Sequence, residues 1–420
     1  MTRFEIILLL ILIAGWTLDS MSSGLISGTL SLIIEEFELS RGEAGALLSS
    51  WLIGMLIGAA LMGYLGDVIG RKNVMIIALT LLGLFTWLSL IAWNPLQLAI
   101  FRILAGMGAA SYMVMASTLL SEYAPSKFRG SMVALLESSW ALGWLISIVL
   151  ARVIAPYYGW RAVYNSALAV LALIPIVTCL VPESLRYLVI KGRVEKAREL
   201  SKRHKIKVDL KSFKVAEKIS VKDLFRGVYG RRTLMLWTHW FCIVLAYWGI
   251  FLWLPKILES RDISFIRSLE YAIIMTIAQI PGYLSAVALI DKIGRKHLLA
   301  SYMALAGLGS FMFWRAISIE EVLLWGIVVS FFNLGAWGIT YAYTPELYPT
   351  KLRSAGSGWA NSIGRIGGII GPYVAGLIME ATGNPLYPFL LFATVHFISA
   401  IVIYTLGEET KLKSLEEISH

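Results

Sequence analysis

Gly63-Tyr64-Leu65-Gly66-Asp67-Val68-Ile69-Gly70-Arg71-Lys72 closes one long apolar run and opens the next. The pattern returns as Asp291-Lys292-Ile293-Gly294-Arg295-Lys296, at a spacing of 291 − 67 = 224 residues. A second pattern keeps the same offset: Glu122, Pro125, Lys127 and Arg129 recur as Glu346, Pro349, Lys351 and Arg353. Two separate motifs sharing one offset mark an internal duplication. Each copy lies between apolar segments, so the duplicated unit is a set of membrane helices.

Composition points the same way. Of 420 residues, 58% are hydrophobic and 15% charged, and the mean hydropathy is +0.72. A water-soluble chain of this length cannot hide so much apolar surface, so its solvent is lipid. In lipid the backbone must satisfy its own hydrogen bonds, which leaves helices or closed barrels. The apolar runs are about 20 residues long, the length of a spanning helix. Twelve spans are predicted, over 4–32, 42–66, 73–93, 95–120, 128–153, 160–181, 233–254, 268–290, 297–317, 320–343, 353–380 and 386–406. The expected architecture is an all-α polytopic membrane protein. It has an N-terminal six-helix bundle (1–181), a basic linker (182–232), a C-terminal six-helix bundle (233–406) and a tail (407–420). The first run lacks a small-residue cleavage site and is read as a retained helix.

Charge sets the expected orientation. Arg71 and Lys72, Lys127 and Arg129, Lys292 to Lys296, and Lys351 and Arg353 occupy alternate loops. The loops between carry Glu35-Glu36-Phe37-Glu38, Trp93-Asn94-Pro95 and Gly383-Asn384-Pro385. Positive loops stay inside, so the motif loops and both termini are expected in the cytoplasm of a cell-membrane protein. The linker holds 16 Lys+Arg against 6 Asp+Glu, which accounts for the whole net charge of +10. This is expected of a cytoplasmic loop that touches lipid headgroups, and no nucleic-acid partner is expected. Within it, 192–204 is expected to form a short amphipathic helix and 205–218 has weaker periodicity.

Other chemistries lack their residues. The five histidines show no metal-binding spacing, Cys179 and Cys242 form no framework, and no Walker A pattern exists. No enzyme, cofactor or metal site is expected.

The duplicated G-x-x-x-D-x-x-G-R-K turn between helices two and three resembles that of the major facilitator superfamily, over nearly the whole chain. Pro182-Glu183-Ser184-Leu185-Arg186 resembles the P-E-S-x-R motif of its sugar porters and organic-ion transporters. Gly407-Glu408-Glu409-Thr410-Lys411 with Ser414 to Glu417 is similar to their P-E-T-K-G…L-E-E ending. Gly249-Ile250-Phe251-Leu252-Trp253-Leu254-Pro255 and Gly364-Arg365-Ile366-Gly367-Gly368 resemble the niacin, aromatic-acid and synaptic-vesicle-glycoprotein-like branch. Helix seven lacks the Q-Q-x-x-G of sugar porters, Val68 and Val287 replace motif residues, and Ser22 stands at the second acid of D-x-x-D.

Ionisable groups inside spans are costly and are functional candidates by default. Asp19 and Arg102 fall at similar depth, Asp19 about 22 Å from its helix start at ~1.5 Å per residue. The resemblance places helices one and four on a central cavity. A proton on Asp19 would release Arg102 and bias one conformation; a static ion pair is the alternative. Glu137 aligns with a substrate-binding glutamine of sugar porters and is a second proton candidate. Arg365 lies near the midplane, where the organic-ion branch carries a cation with anionic substrates; pairing with Glu137 is the alternative. Trp140, Trp144, Tyr247, Trp248, Gln279, Trp337, Tyr341 and Asn361 are candidate substrate contacts, or simple packing. Gln279-Ile280-Pro281-Gly282 interrupts helix eight. Asp67, Gly70, Arg71, Glu122, Arg129, Glu183 and Arg186, echoed by Asp291, Arg295, Glu346 and Arg353, are expected to latch one conformational state.

The expected function is secondary transport by alternating access, with protons as coupling ion and a small organic anion as cargo, by a monomer among lipids. A carrier of a neutral solute such as a sugar, a proton antiporter that exports its cargo, and a non-transporting sensor are the alternatives.

Overall fold

The computed structural model describes residues 2–125, 128–204, 221–261 and 263–411; at 63, 129, 350, 351 and 354 it describes the backbone alone. Lys127, the segments 205–218 and 414–417, and the side chain of Arg129 lie outside the described residues.

The described residues are helical, with no strand among them. The helices are α1 (Arg3–Phe37), α2 (Arg41–Ile69), α3 (Arg71–Leu88), α4 (Pro95–Tyr123), α5 (Arg129–Val163), α6 (Leu168–Leu180), α7 (Leu185–Ile190), α8 (Val194–Arg203), α9 (Val228–Glu259), α10 (Phe265–Ile277), α11 (Gln279–Ile293), α12 (Arg295–Arg315), α13 (Ile319–Glu346), α14 (Thr350–Thr382) and α15 (Pro388–Leu406). Among the described residues, eleven stretches are long and apolar enough to cross a bilayer. One of them, Gly130–Leu180, has 51 residues. At ~1.5 Å per residue it rises about 76 Å, more than twice a hydrocarbon core of about 30 Å. It therefore holds two crossings. Gly159, at φ 74°, breaks α5, and a 3-10 turn over Tyr164–Ala167 leads into α6. Among the described residues the total is then twelve membrane-capable segments. Conversely, α10 and α11 share one crossing, broken at Ala278, immediately before the predicted interruption at Gln279.

Polar side chains cap the starts of α4 and α13. Asn94 accepts a hydrogen bond from the Gln97 N–H at 2.8 Å, with Pro95 in the first helical position. Ser318 and Glu321 cap α13 reciprocally. Where helices cross closely, the absence of a side chain is required. A Cβ on Gly54, Gly58 or Gly106 would collide with backbone carbonyls of the α2–α4 pair.

The chain divides into two compact units, Met1–Leu25 with Ser50–Glu217, and Ile26–Ser49 with Lys218–His420. The second unit thus takes in the far part of α1 and the start of α2. Ser27 donates to the Phe251 carbonyl at 2.7 Å, Arg41 to that of Met379 at 2.8 Å, and Ser49 to that of Ile369 at 2.6 Å. The Gly42 N–H donates to Glu380 at 2.7 Å.

Candidate functional site

At the motif end of the first unit, α2 turns into α3 through Gly70, at φ 102°. A side chain there would be strained and would also strike the Glu183 carboxylate. That carboxylate explains the turn. Glu183 Oε1 accepts from the backbone N–H groups of Arg71 (2.9 Å), Lys72 (3.2 Å) and Ser184 (2.8 Å). An anion thus satisfies the orphan donors and the positive pole at the start of α3. Arg71 pairs with Asp67 at 2.7 Å and stands over the Tyr187 ring. Glu122 accepts from the Ser184 hydroxyl, and Arg71 and Arg186 act on it electrostatically. Tyr123 donates to the Glu183 carbonyl at 2.6 Å. The structure therefore gathers Asp67, Gly70, Arg71, Glu122, Glu183 and Arg186 into one network.

The second unit builds the same device from a different part of the chain. Gly294, at φ 106°, precedes α12. Glu409 Oε1 accepts from the N–H groups of Arg295 and Lys411, both at 2.9 Å, and Glu409 Oε2 meets His297 Nδ1 at 3.1 Å. Partial burial raises the Glu409 pKa, but these donors outweigh it and hold the carboxyl below its usual range. Arg295 pairs with Asp291 at 2.8 Å and with Glu346 at 3.2 Å, and Thr410 donates to Glu346 at 2.6 Å. Glu408, one residue earlier, pairs with buried Arg232. Arg353 donates instead to the Pro345 carbonyl at 3.1 Å, and its Nη2 has no hydrogen-bond partner. Sequence reading places Glu409 in the motif-like ending but gives it no part in the turn. Its position is 409 − 183 = 226 residues from Glu183, two off the repeat. The available signal was the shared acid–hydroxyl pair, Glu183-Ser184 and Glu409-Thr410.

The interior of the first unit holds ionisable groups. Asp19, fully buried in α1, acts electrostatically on Tyr112 of α4, whose hydroxyl donates to the Leu12 carbonyl at 2.9 Å. Arg102, only 2% exposed, lies over the Trp51 ring at 5.1 Å and beside Tyr164. Its Nε and Nη2 have no hydrogen-bond partner. The structure thus places Asp19 within electrostatic reach of Tyr112, and Arg102 against Trp51 and beside Tyr164. Glu137, Trp140 and Trp144 share one face of α5, at i, i+3 and i+7. The two indoles stack at 6.4 Å, and the Trp140 carbonyl accepts from Ser20 of α1 at 2.6 Å.

The interior of the second unit is aromatic. Trp337 and Tyr341 of α13 lie 5.8 Å apart, and Tyr247 of α9 meets Trp337 edge-on at 5.7 Å. Trp248 meets Tyr247 at 5.7 Å. Trp240 completes the cluster, edge-on to Trp337 at 5.7 Å and to Tyr341 at 5.3 Å. Sequence reading missed Trp240, although it precedes Tyr247 by seven residues and so shares its helix face. Asn361 and Arg365 sit half-buried, one turn apart on α14. Gln279 is fully buried, with neither amide atom hydrogen-bonded. Among the described residues no acid, cysteine or histidine cluster suits a metal. An aromatic cluster and a half-buried guanidinium, Arg365, are thus present in one unit.

Residues 8–420 match the family model described as sugar (and other) transporter. The chain is 37% identical to the niacin transporter NiaP of Acinetobacter baylyi, over 99% of this chain and 97% of that one. It is 31% identical to the gallate transporter of Pseudomonas putida, over 89% and 86%. Its fold is similar to that of the xylose transporter XylE from E. coli in a partially occluded inward-open conformation. The TM-score is 0.82 at 19% identity, covering 98% of this chain and 100% of the other.

Proposed function

The chain belongs to the sugar (and other) transporter family, and on that premise we propose that it is a proton-coupled carrier of a small planar aromatic carboxylate, with nicotinate as the type substrate. One observation carries this reading. The second unit combines an aromatic cluster of Trp240, Tyr247, Trp248, Trp337 and Tyr341 with a cation, Arg365. Indole and phenol rings stack or meet a flat ring edge-on, and a guanidinium takes a carboxylate bidentately. Asn361 and Gln279 serve as orienting amides. The names of the niacin and gallate carriers fit a cargo of this shape and charge.

Coupling is assigned to the first unit. Asp19 takes the proton, Arg102 responds to the change of charge, and Glu137 is the second acid. The two motif-end networks set which conformation is populated in an alternating-access cycle. Trp140 and Trp144 supply further contacts for the ring. The carrier lies in the cell membrane with its motif turns and termini in the cytoplasm, a reading that the basic loops support. It works as a monomer without a cofactor.

Reconstituted vesicles with an imposed pH gradient, inside alkaline, test the whole reading. Radiolabelled nicotinate is expected to accumulate, and its uncharged amide is expected to do so at least tenfold less. Equal accumulation of the two would replace the organic-anion reading by a neutral-solute carrier. Binding without accumulation of either would indicate a sensor.

A further inference from the structure

Two histidines of the second unit have no part in the function just described, and both are fully buried. His239 of α9 lies between Ser399 of α15, whose Oγ is 2.7 Å from Nδ1, and Thr340 of α13, whose Oγ1 is 2.7 Å from Nε2. The titratable neighbour that acts on it is His396 of α15. His396 has its Nδ1 2.6 Å from the Phe392 carbonyl and its Nε2 2.9 Å from the Asn333 amide nitrogen.

These partners fix the tautomers. The Thr340 hydroxyl spends its hydrogen on the Ala336 carbonyl, at 2.7 Å. Its oxygen is therefore the acceptor, and His239 carries its proton on Nε2; Nδ1 accepts from Ser399. His396 faces a carbonyl with Nδ1, so that nitrogen bears the hydrogen, and Nε2 accepts from Asn333. Both rings are neutral, and all four ring nitrogens are satisfied. These bonds hold both rings in a low-dielectric interior, while the buried Asn333 Oδ1 beyond them has no hydrogen-bond partner.

The network ends on the aromatic cluster. Thr344 donates to the Thr340 carbonyl at 2.7 Å, and the Trp240 indole N–H donates to the Thr344 hydroxyl at 3.0 Å. Trp240 is the next residue after His239 and touches both Trp337 and Tyr341. Thr340 is flanked on α13 by the same two residues, three before it and one after it. The His239 Nε2–H···Thr340 bond thus ties α9 to α13 beside the aromatic faces that the two helices present.

We propose that His239 is a positioning residue for ligand recognition. Through Thr340 it sets the separation of the Trp240, Trp337 and Tyr341 rings, and so the preference for a flat aromatic ring over a saturated ring of equal charge. The inference rests on the assignment of that cluster to the cargo. Because the active tautomer carries its hydrogen on Nε2, the two amide replacements differ. Glutamine can place an N–H where Nε2 stood, whereas asparagine reaches only the Nδ1 position.

Uptake of nicotinate and of cyclohexanecarboxylate is measured for the wild type, His239→Gln and His239→Asn between pH 5.5 and 8. His239→Asn is expected to raise KM for nicotinate roughly tenfold, the size of one lost hydrogen bond, at unchanged maximal rate. It is expected to bring the aromatic-to-saturated preference close to one. His239→Gln is expected to stay within about threefold of the wild type, and the pH profile to keep its midpoint in both. Thr340→Val approaches the same bond from its other side and is expected to match His239→Asn. Equal losses in Gln and Asn would overturn the proposal in favour of a packing role. A shifted pH profile would overturn it in favour of a proton site. The near-ultraviolet circular dichroism of the ligand-free protein reads the ring geometry whatever the cargo. If the wild type takes up neither acid, the cargo reading fails by itself. An aromatic band altered in His239→Asn and retained in His239→Gln then still supports the positioning role, and a band unaltered in His239→Asn overturns it.

Discussion

The two units share their motif ends and differ in their interiors. At the motif ends, Gly70 and Gly294 take nearly the same left-handed geometry, and a carboxylate, Glu183 or Glu409, caps the helix that follows. Inside, the first unit buries Asp19 and Arg102, whereas the second buries His239, His396 and Asn333 and carries an aromatic cluster that is in part half-buried. Duplication preserved the motif ends and let the interiors diverge. The reason is physical. A helix N-terminus exposes the same orphan N–H groups wherever it occurs, so one solution serves both copies. A buried charge is costly and persists where its titration or its binding is useful. We assign proton coupling to the first interior and recognition of the cargo to the second.

That division can be broken at its strongest point first. Asp19→Asn fixes the uncharged state, so accumulation driven by a pH gradient is expected to vanish while exchange of labelled for unlabelled nicotinate persists. Wild-type accumulation in this variant would end the assignment. Next is Arg365. Replacing a bidentate fork by a point charge in Arg365→Lys is expected to weaken nicotinate binding by roughly 1–3 kcal/mol. Arg365→Gln is expected to weaken it further, with little change for nicotinamide. Titration calorimetry of the acid and the amide checks this; equal losses for both would detach Arg365 from the carboxylate.

The shared part should respond alike in the two units. Gly70→Ala and Gly294→Ala each force a Cβ into left-handed backbone and against a capping carboxylate. Each is expected to lose about 1–3 kcal/mol of stability. Thermal unfolding in detergent would show whether the two agree within error, and a loss at one position alone would break the equivalence. The smallest effect separates the caps by pH. The Glu409 carboxyl is held below its usual range, so it binds its proton less readily folded than unfolded. Its contribution is present above the unfolded pKa, near 4.5, and fades as pH falls through the folded value. The stability difference between the wild type and Glu409→Gln is therefore expected to shrink from pH 6 to pH 3. A difference independent of pH would show that Glu409 caps α12 by shape alone.

Much of the fold was legible because its signals are local. A run of about 20 apolar residues must be a helix in lipid. Gly70-Arg71 and Gly294-Arg295 announce a sharp turn, and a constant offset pairs Glu122 with Glu346. The break before Gln279 follows from its Pro and Gly. The site was legible only in part. Tyr247, Trp248, Trp337 and Tyr341 were named from composition, but nothing in their spacing says that α9 and α13 bring them together, or that Trp240 joins them. The histidines look scattered in sequence because their partners, Thr340, Ser399 and Asn333, come from other helices.

The sequence by itself determined the solvent, the number of crossings, the duplication and the turns, since each depends on neighbours within one helix or one loop. Only the tertiary structure decided that Glu409 of the tail, two residues off the repeat, caps α12 as Glu183 caps α3. It also decided that Arg102 rests on Trp51 and Tyr164, and that His239 ties three helices to the aromatic cluster. Those pairings depend on the rotation of one helix against another. Helix rotation is set by packing across the whole bundle, which no local run of residues encodes.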